Sequence, residues 1–220
     1  MTSLPKQSVQ TPRLPKHLPA EVIETLEDHA EYSSISSSGC KLVNQVATHV
    51  LFEQVHFRRA SFNRTRLTGL RMFDTRAEAS DLSGAVWEQA RLRRVEFAGC
   101  RLLGVQWLEA ELEDALFKDC NLEEAVFASA TFKSTRFENC RLRGTSFEEA
   151  NLAGAVFFHC DLADADLRGA KLHGADFRGS VIHGLQVGAG ELHGAIIDST
   201  QAIQVVTLLG VIVKDVVPRP

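Results

Sequence analysis

The chain has no proline between Pro19 and Pro218; all six prolines (Pro5, Pro12, Pro15, Pro19, Pro218 and Pro220) lie near its ends. Proline withholds an amide donor, so its absence suits a backbone that spends its donors in a continuous ladder. No apolar run approaches the ~18–20 residues of a membrane span. The opening MTSLPKQSVQTPRLPKHLP lacks the apolar stretch of a secretory leader, so a cytoplasmic protein is expected. No C-x-x-C pair occurs, nor any P-loop, H-E-x-x-H or G-x-S-x-G pattern. A net charge of −4 is too small to mark a general polyion binder.

What is present is a period of five. Positions ending in 2 or 7 run from Phe52 to Ile197, 30 in all, and every one except Ala77 is large and apolar. Two positions earlier in each five, residues are mostly small: Ala85, Ala90, Ala110, Ala115, Ala125 and Ala130 are examples. Positions ending in 4 or 9 hold 12 of the 15 glycines. A 3.6-residue period would scatter the large residues, and a period of two would put them on both faces. A chain that turns once per five residues keeps both inward, and glycine suits the positive φ of a type II turn.

Segments such as ANLAGAVF, CNLEEAVF and ADLRGAKLHGADF resemble the A-(D/N)-L-x-x signature of pentapeptide-repeat proteins. The resemblance implies a right-handed quadrilateral β-helix with four pentapeptides, or 20 residues, per coil. Residues 40–199 would then form about eight coils, an all-β solenoid. Twenty-residue spacing is visible directly. Cys100, Cys120, Cys140 and Cys160 form one column, with Cys40 on the same lattice, and Phe97, Phe117, Phe137, Phe157 and Phe177 form another. The cysteines read as small apolar fillers of the slots that alanine takes elsewhere, since thiolates in a line cannot make a tetrahedral metal site. His173 and His193 would also stack, as a solvated pair. No metal and no cofactor are expected. In the weakest stretch, LRMFDTRAEA (70–79), Ala77 replaces a core residue and Phe73 faces out, so a bulge or loose corner is expected, filled by Trp87 or Phe73.

Four regions are expected: a flexible tail over 1–18, a cap over 19–39, the repeats over 40–199, and a C-terminal element over 200–220. Pro19 and the pattern of Val22, Ile23 and Leu26 in AEVIETLEDHA predict a helix that caps the first coil. DSTQAIQVVTLLG predicts a helix starting after Asp198 or Ser199 and ending at Gly210, followed by a strand at Val211–Ile212–Val213. A similar tail joins two rods in the loop-free fluoroquinolone-resistance members. That resemblance implies a homodimer through Ile203, Val206, Leu208, Leu209, Val211 and Val213.

A filled rod offers no pocket for catalysis, so a non-enzyme is expected, with no catalytic residue and no small-molecule substrate. It is also expected to contact neither membrane nor nucleic acid directly. Over 41–199 there are 22 acids against 19 bases, a net of −3. One face stands out, with Arg66 and Arg168 against Glu88, Glu109, Glu148, Glu149 and Asp166. Elsewhere, Glu111, Glu113 and Asp114 are expected to pair with Arg91, Arg93 and Arg94 one coil below. The family resemblance implies a rod that imitates duplex DNA and occupies a type II topoisomerase such as DNA gyrase, giving quinolone or toxin protection. Against it stands a scaffolding module for another protein, docked through outward Phe73 and Phe158.

Overall fold

Each inward pair of a small and a large residue is followed by a backbone corner. From residue 29 to residue 194 the fourth position of each five except Ala189 has a positive φ, whether glycine (Gly69, +66°) or not (Asn44, +58°; Asp119, +54°). Glycine is therefore optional at most corners. The turn dictates φ, and packing and the ladder offset the strain of roughly 1 kcal/mol per residue. The result, in the computed structural model describing residues 8–214, is a parallel β-solenoid in which residue i lies on residue i+20.

One side stacks Glu31, Leu51, Arg71, Arg91, Glu111, Thr131, Asn151 and Lys171, each bonded to the next. Seven steps of about 4.8 Å make this side about 34 Å tall. Strands Arg71–Glu78, Arg91–Ala98 and Glu111–Lys118 each run through a corner and join two adjacent sides. The other two sides pair through the short strands Val46–Thr48, Arg66–Thr68 and Val86–Glu88 or through single bridges.

The core is the pattern read from the sequence. Phe97, Phe117, Phe137, Phe157 and Phe177 stack with successive centroids 4.8–5.1 Å apart, nearly parallel. Trp87 and Trp107 stack at 5.0 Å in another column. The expected bulge at 70–79 does not occur. Arg71–Glu78 is one continuous strand, with Ala77 buried. Ala77 interrupts only the ring stack: Phe57 packs edge-on against Phe52 and Phe62, across the coil instead of along the column.

The ends differ from expectation. Residues 20–30 form no helix. Ile23 and Leu26 are buried, but the raw edge of the first coil binds this segment in extended form. The Glu21 amide donates to Ser36 O and the Ser36 amide to Pro19 O. Gln45 bonds both the Leu26 amide and Glu24 O through its side chain. An isolated helix of this length is marginal, and a ladder edge gives the backbone better partners. The lattice thus begins at Glu31, ahead of residue 40, with Tyr32 stacked on Phe52 at 5.4 Å.

At the other end, helix Ser199–Leu208 is capped by Asp198, with Gln201 completing a capping box. Residues 211–213 are exposed and form no strand. Just before the helix, residues 189–194 form consecutive turns in the last coil, with the Leu192 amide bonded to Gly188 O. The tail expected to be flexible over 1–18 falls partly on residues 1–7, outside the described residues. Residues 8–18 lie along the rod.

Candidate protein-interaction faces

Outward residues sit at fixed lattice points, so their neighbours are known. Glu88, Glu109, Glu148 and Glu149 are all exposed. Glu109 and Glu149 share a corner column two coils apart, about 10 Å. Gln89 Nε2 donates to Glu109 at 3.1 Å, and the Ser129 hydroxyl to Glu149 at 3.3 Å. None of the four carboxylates has a cationic partner within 4.0 Å among the described residues. Asp166 differs. Arg168 binds both its oxygens, at 2.9 and 2.5 Å, and holds its carboxyl below the usual range. The face is therefore a field of four unpaired glutamates with one neutralised aspartate at its end.

Some acids on the other faces are paired, whereas exposed Glu53, Asp119 and Glu124 are not. Arg91 reaches Glu111 at 3.6 Å, Lys133 and Arg93 reach Glu113 at 2.7 and 3.7 Å, and Arg143 reaches Asp164 at 2.9 Å. Exposed pairs of this kind contribute little to stability, but they cancel local charge. The expected Asp114–Arg94 pair is replaced. Arg94 turns to the coil below and grips Asp74 with two 2.6 Å bonds, because Asp74 presents both oxygens to the guanidinium fork. Phe158 is not the free anchor expected: it is half-buried, with the Arg136 guanidinium 5.5 Å above its ring. Phe73 is half-buried too.

The cysteine column is buried. The single S–H of Cys120 has two carbonyls in reach, Phe97 O and Lys118 O, both at 3.3 Å, and that of Cys140 has Phe117 O and Glu138 O at 3.4 and 3.3 Å. Hydrogen bonding with Cys100 and Cys140, then burial, pushes the Cys120 thiol up. It stays protonated at neutral pH and acts as a filler.

At the C-terminus the helix does two jobs. Gln201 is buried and its amide donates to Phe177 O and Ser180 O at 2.7 Å, closing carbonyls of the last coil. Sequence reasoning overlooked this plug, although glutamine at the third helical position was a cue to it. Val205 and Leu208 pack on the core, and Val206 is half-buried. Ile203, Leu209, Val211, Ile212 and Val213 remain exposed, Ile212 at 80%.

The arrangement can bind through faces and ends. Surface depressions among the described residues include one lined by His29, His49, Arg71, Gln89 and Arg91. The description "Pentapeptide repeats (8 copies)" matches residues 71–105, and "Pentapeptide repeat region" matches residues 90–167. No curated protein matches. Among solved structures, a trypsin-treated variant of QnrB1, a plasmid-mediated fluoroquinolone resistance protein, is 15% identical. The match covers 84% of this chain and 100% of that one, at a TM-score of 0.43. HetL, involved in heterocyst differentiation regulation in the cyanobacterium Nostoc sp. strain PCC 7120, is 19% identical over 78% of this chain and 91% of its own, at 0.38. A pentapeptide repeat protein of the Arabidopsis thaliana thylakoid lumen is 22% identical over 48% and 67%, at 0.25. These likenesses concern architecture alone.

Proposed function

We propose that this chain, a solenoid built on pentapeptide repeats, is a non-enzymatic binding rod whose unpaired acidic face docks a basic saddle in a bacterial type II topoisomerase, DNA gyrase. The observation that carries the reading is the gathering of four unpaired glutamates on one face. Glu88, Glu109, Glu148 and Glu149 lack cationic partners, whereas the acids Glu111, Glu113 and Asp164 have them. A DNA-binding saddle recognises regularly spaced negative charge on a rod, and phosphate contacts dominate such affinity. The reading places the protein in the cytoplasm with the chromosome. The resemblance noted in the sequence supplies the expected consequence, protection from quinolones or related toxins.

We also propose that two rods join at their C-termini. Ile203, Leu209, Val211, Ile212 and Val213 form an exposed apolar cluster at the end of the solenoid, the kind of patch that marks an interface. Joining two rods would lengthen the acidic track.

The test is a gyrase supercoiling assay with and without quinolone. Protection or inhibition by the protein at micromolar concentration is expected, and replacing the four glutamates by glutamine should weaken it at least ten-fold. No effect, together with no co-elution with gyrase, sinks the proposal. Separately, Ile203→Asp with Leu209→Asp should convert a dimer to a monomer in sedimentation equilibrium. A native protein that is already monomeric at 100-fold dilution series endpoints removes the end-to-end arrangement but leaves the gyrase reading to its own assay.

A further inference from the structure

The N-terminal segment runs across coils instead of along one. The Gln10 amide donates to Asp114 Oδ1 at 3.2 Å, and the Arg13 amide to Asp74 Oδ1 at 2.9 Å. Gln54 Nε2 donates to Arg13 O at 3.4 Å, and the segment then reaches the edge of the first coil at Pro19. The column it follows is Ser34, Gln54, Asp74, Arg94 and Asp114, every one a corner residue with φ between 48° and 54°. This is the corner through which the three long strands pass.

The spacing is a match of two periods. Asp74 and Asp114 are two coils apart, about 10 Å. Gln10 and Arg13 are three residues apart, and a polyproline-II chain rises about 3.1 Å per residue with three residues per turn. Amides at i and i+3 therefore point the same way and meet the two carboxylates. Pro12 lies between them, fixes an extended conformation and leaves no unmet donor above Arg94. Val9, Pro12, Leu14 and Leu18 are half-buried against the rod. Arg13, Lys16 and His17 give the segment a basic character above carboxylates.

Asp74 and Asp114 are only 6% and 5% exposed. Among the described residues, the hydrogen bond to Asp114 comes from the segment alone. Yet only three polar contacts, two of them beyond 3.1 Å, and half-buried apolar groups hold the segment, a light attachment. Its main advantage over a rival is its tether, which gives it an effective concentration on the order of millimolar.

We propose that this corner groove is a peptide-docking site. Residues 9–18 are its displaceable resident, and its other occupant is an extended, basic, proline-containing segment of a partner protein. Such a segment offers two amides three residues apart to Asp114 and Asp74, with a proline between them above Arg94. The tether sets the threshold, so only partner segments held more tightly than millimolar, or presented in multiple copies, take the groove.

The test uses a full-length variant with Val9, Pro12, Leu14 and Leu18 all changed to serine, which loosens the resident and leaves the groove intact. A fluorescent peptide of sequence SVQTPRLPKHL should bind this variant at least ten-fold more tightly than the native chain, by anisotropy. Adding Asp74→Asn and Asp114→Asn should reduce that binding at least ten-fold. No binding to the loosened variant with native circular dichroism overturns the proposal, as does equal binding to both chains. Formation of a segment-exchanged dimer, which would make the occupant a second copy, also overturns it. A second measurement needs no loosened variant: Asp114→Asn in the otherwise native chain should raise amide exchange at Gln10 at least ten-fold, and unchanged exchange overturns the proposal.

Discussion

The two stacked tryptophans are chemically unequal, and the inequality can be engineered away. Trp87 Nε1 donates to the Thr65 hydroxyl at 3.0 Å, and that hydroxyl donates on to Phe62 O at 2.8 Å. Trp107, one coil later, is fully buried and its Nε1 has no acceptor among the described residues. The residue that stands to Trp107 as Thr65 stands to Trp87 is residue 85, an alanine. Threonine there would place a hydroxyl between Trp107 Nε1 and Leu82 O. An unmet buried donor costs about 1–3 kcal/mol. The two added heavy atoms act against that gain, because overpacking a filled core costs about 1–3 kcal/mol. The same column already holds a buried valine at 105, so a branched side chain is compatible with its width. A net gain of about 1 kcal/mol is expected for Ala85→Thr, or roughly 2–4 °C in Tm for a chain of this size. Ala85→Val is the control, with the same volume and no hydroxyl, and should lose stability relative to threonine by about 1–2 kcal/mol. Thr65→Val should cost about 1–3 kcal/mol by orphaning Trp87. Urea unfolding followed by tryptophan fluorescence reads all three. If Ala85→Thr and Ala85→Val are equally stable, the hydroxyl contributes nothing and the reasoning fails.

Phe137 stacks on Phe117 at 4.8 Å and Phe157 at 4.9 Å, so Phe137→Ala should cost about 4 kcal/mol. Hydrogen exchange should show the loss concentrated in the coils on either side, as nearest-neighbour coupling requires; uniform loss would contradict it. Ala79 holds φ +46° with no polar side chain to compensate, so Ala79→Gly should stabilise by about 0.5–1 kcal/mol in thermal unfolding, and a loss would show that the corner is unstrained. Burial pushes the His56 pKa down, outweighing Glu78 at 3.1 Å. The unfolded chain then takes up a proton that the folded one resists. Stability should fall as pH drops below about 6.5, toward the lower folded value. His56→Gln should flatten that part of the pH profile; an unchanged slope would assign it to other groups.

The five-residue alternation of small and large residues determined a chain that turns once per repeat, and the 20-residue spacing of cysteines and phenylalanines made visible the closure that the family resemblance implies. They could do so because each repeat contacts only its neighbours, so a local pattern is already a global one. The acidic face was legible for the same reason: outward positions are fixed by register. The structure alone decided which charges are cancelled. Arg94 could reach Asp74 below or Asp114 above, and Asp166 is neutralised by Arg168 two residues on; distance along the chain does not rank such partners.

The ends obeyed neither the period nor local propensity. AEVIETLEDHA has a helical pattern, but the open edge of the first coil offered backbone partners that a lone helix lacks. The proline-rich start reads as a loose tail, and only the placement of Asp74 and Asp114 at the spacing of an extended chain lays it on the rod. The repeats determined the core from sequence alone. Tertiary structure decided the surface and the termini, where several partners were within reach and geometry chose among them.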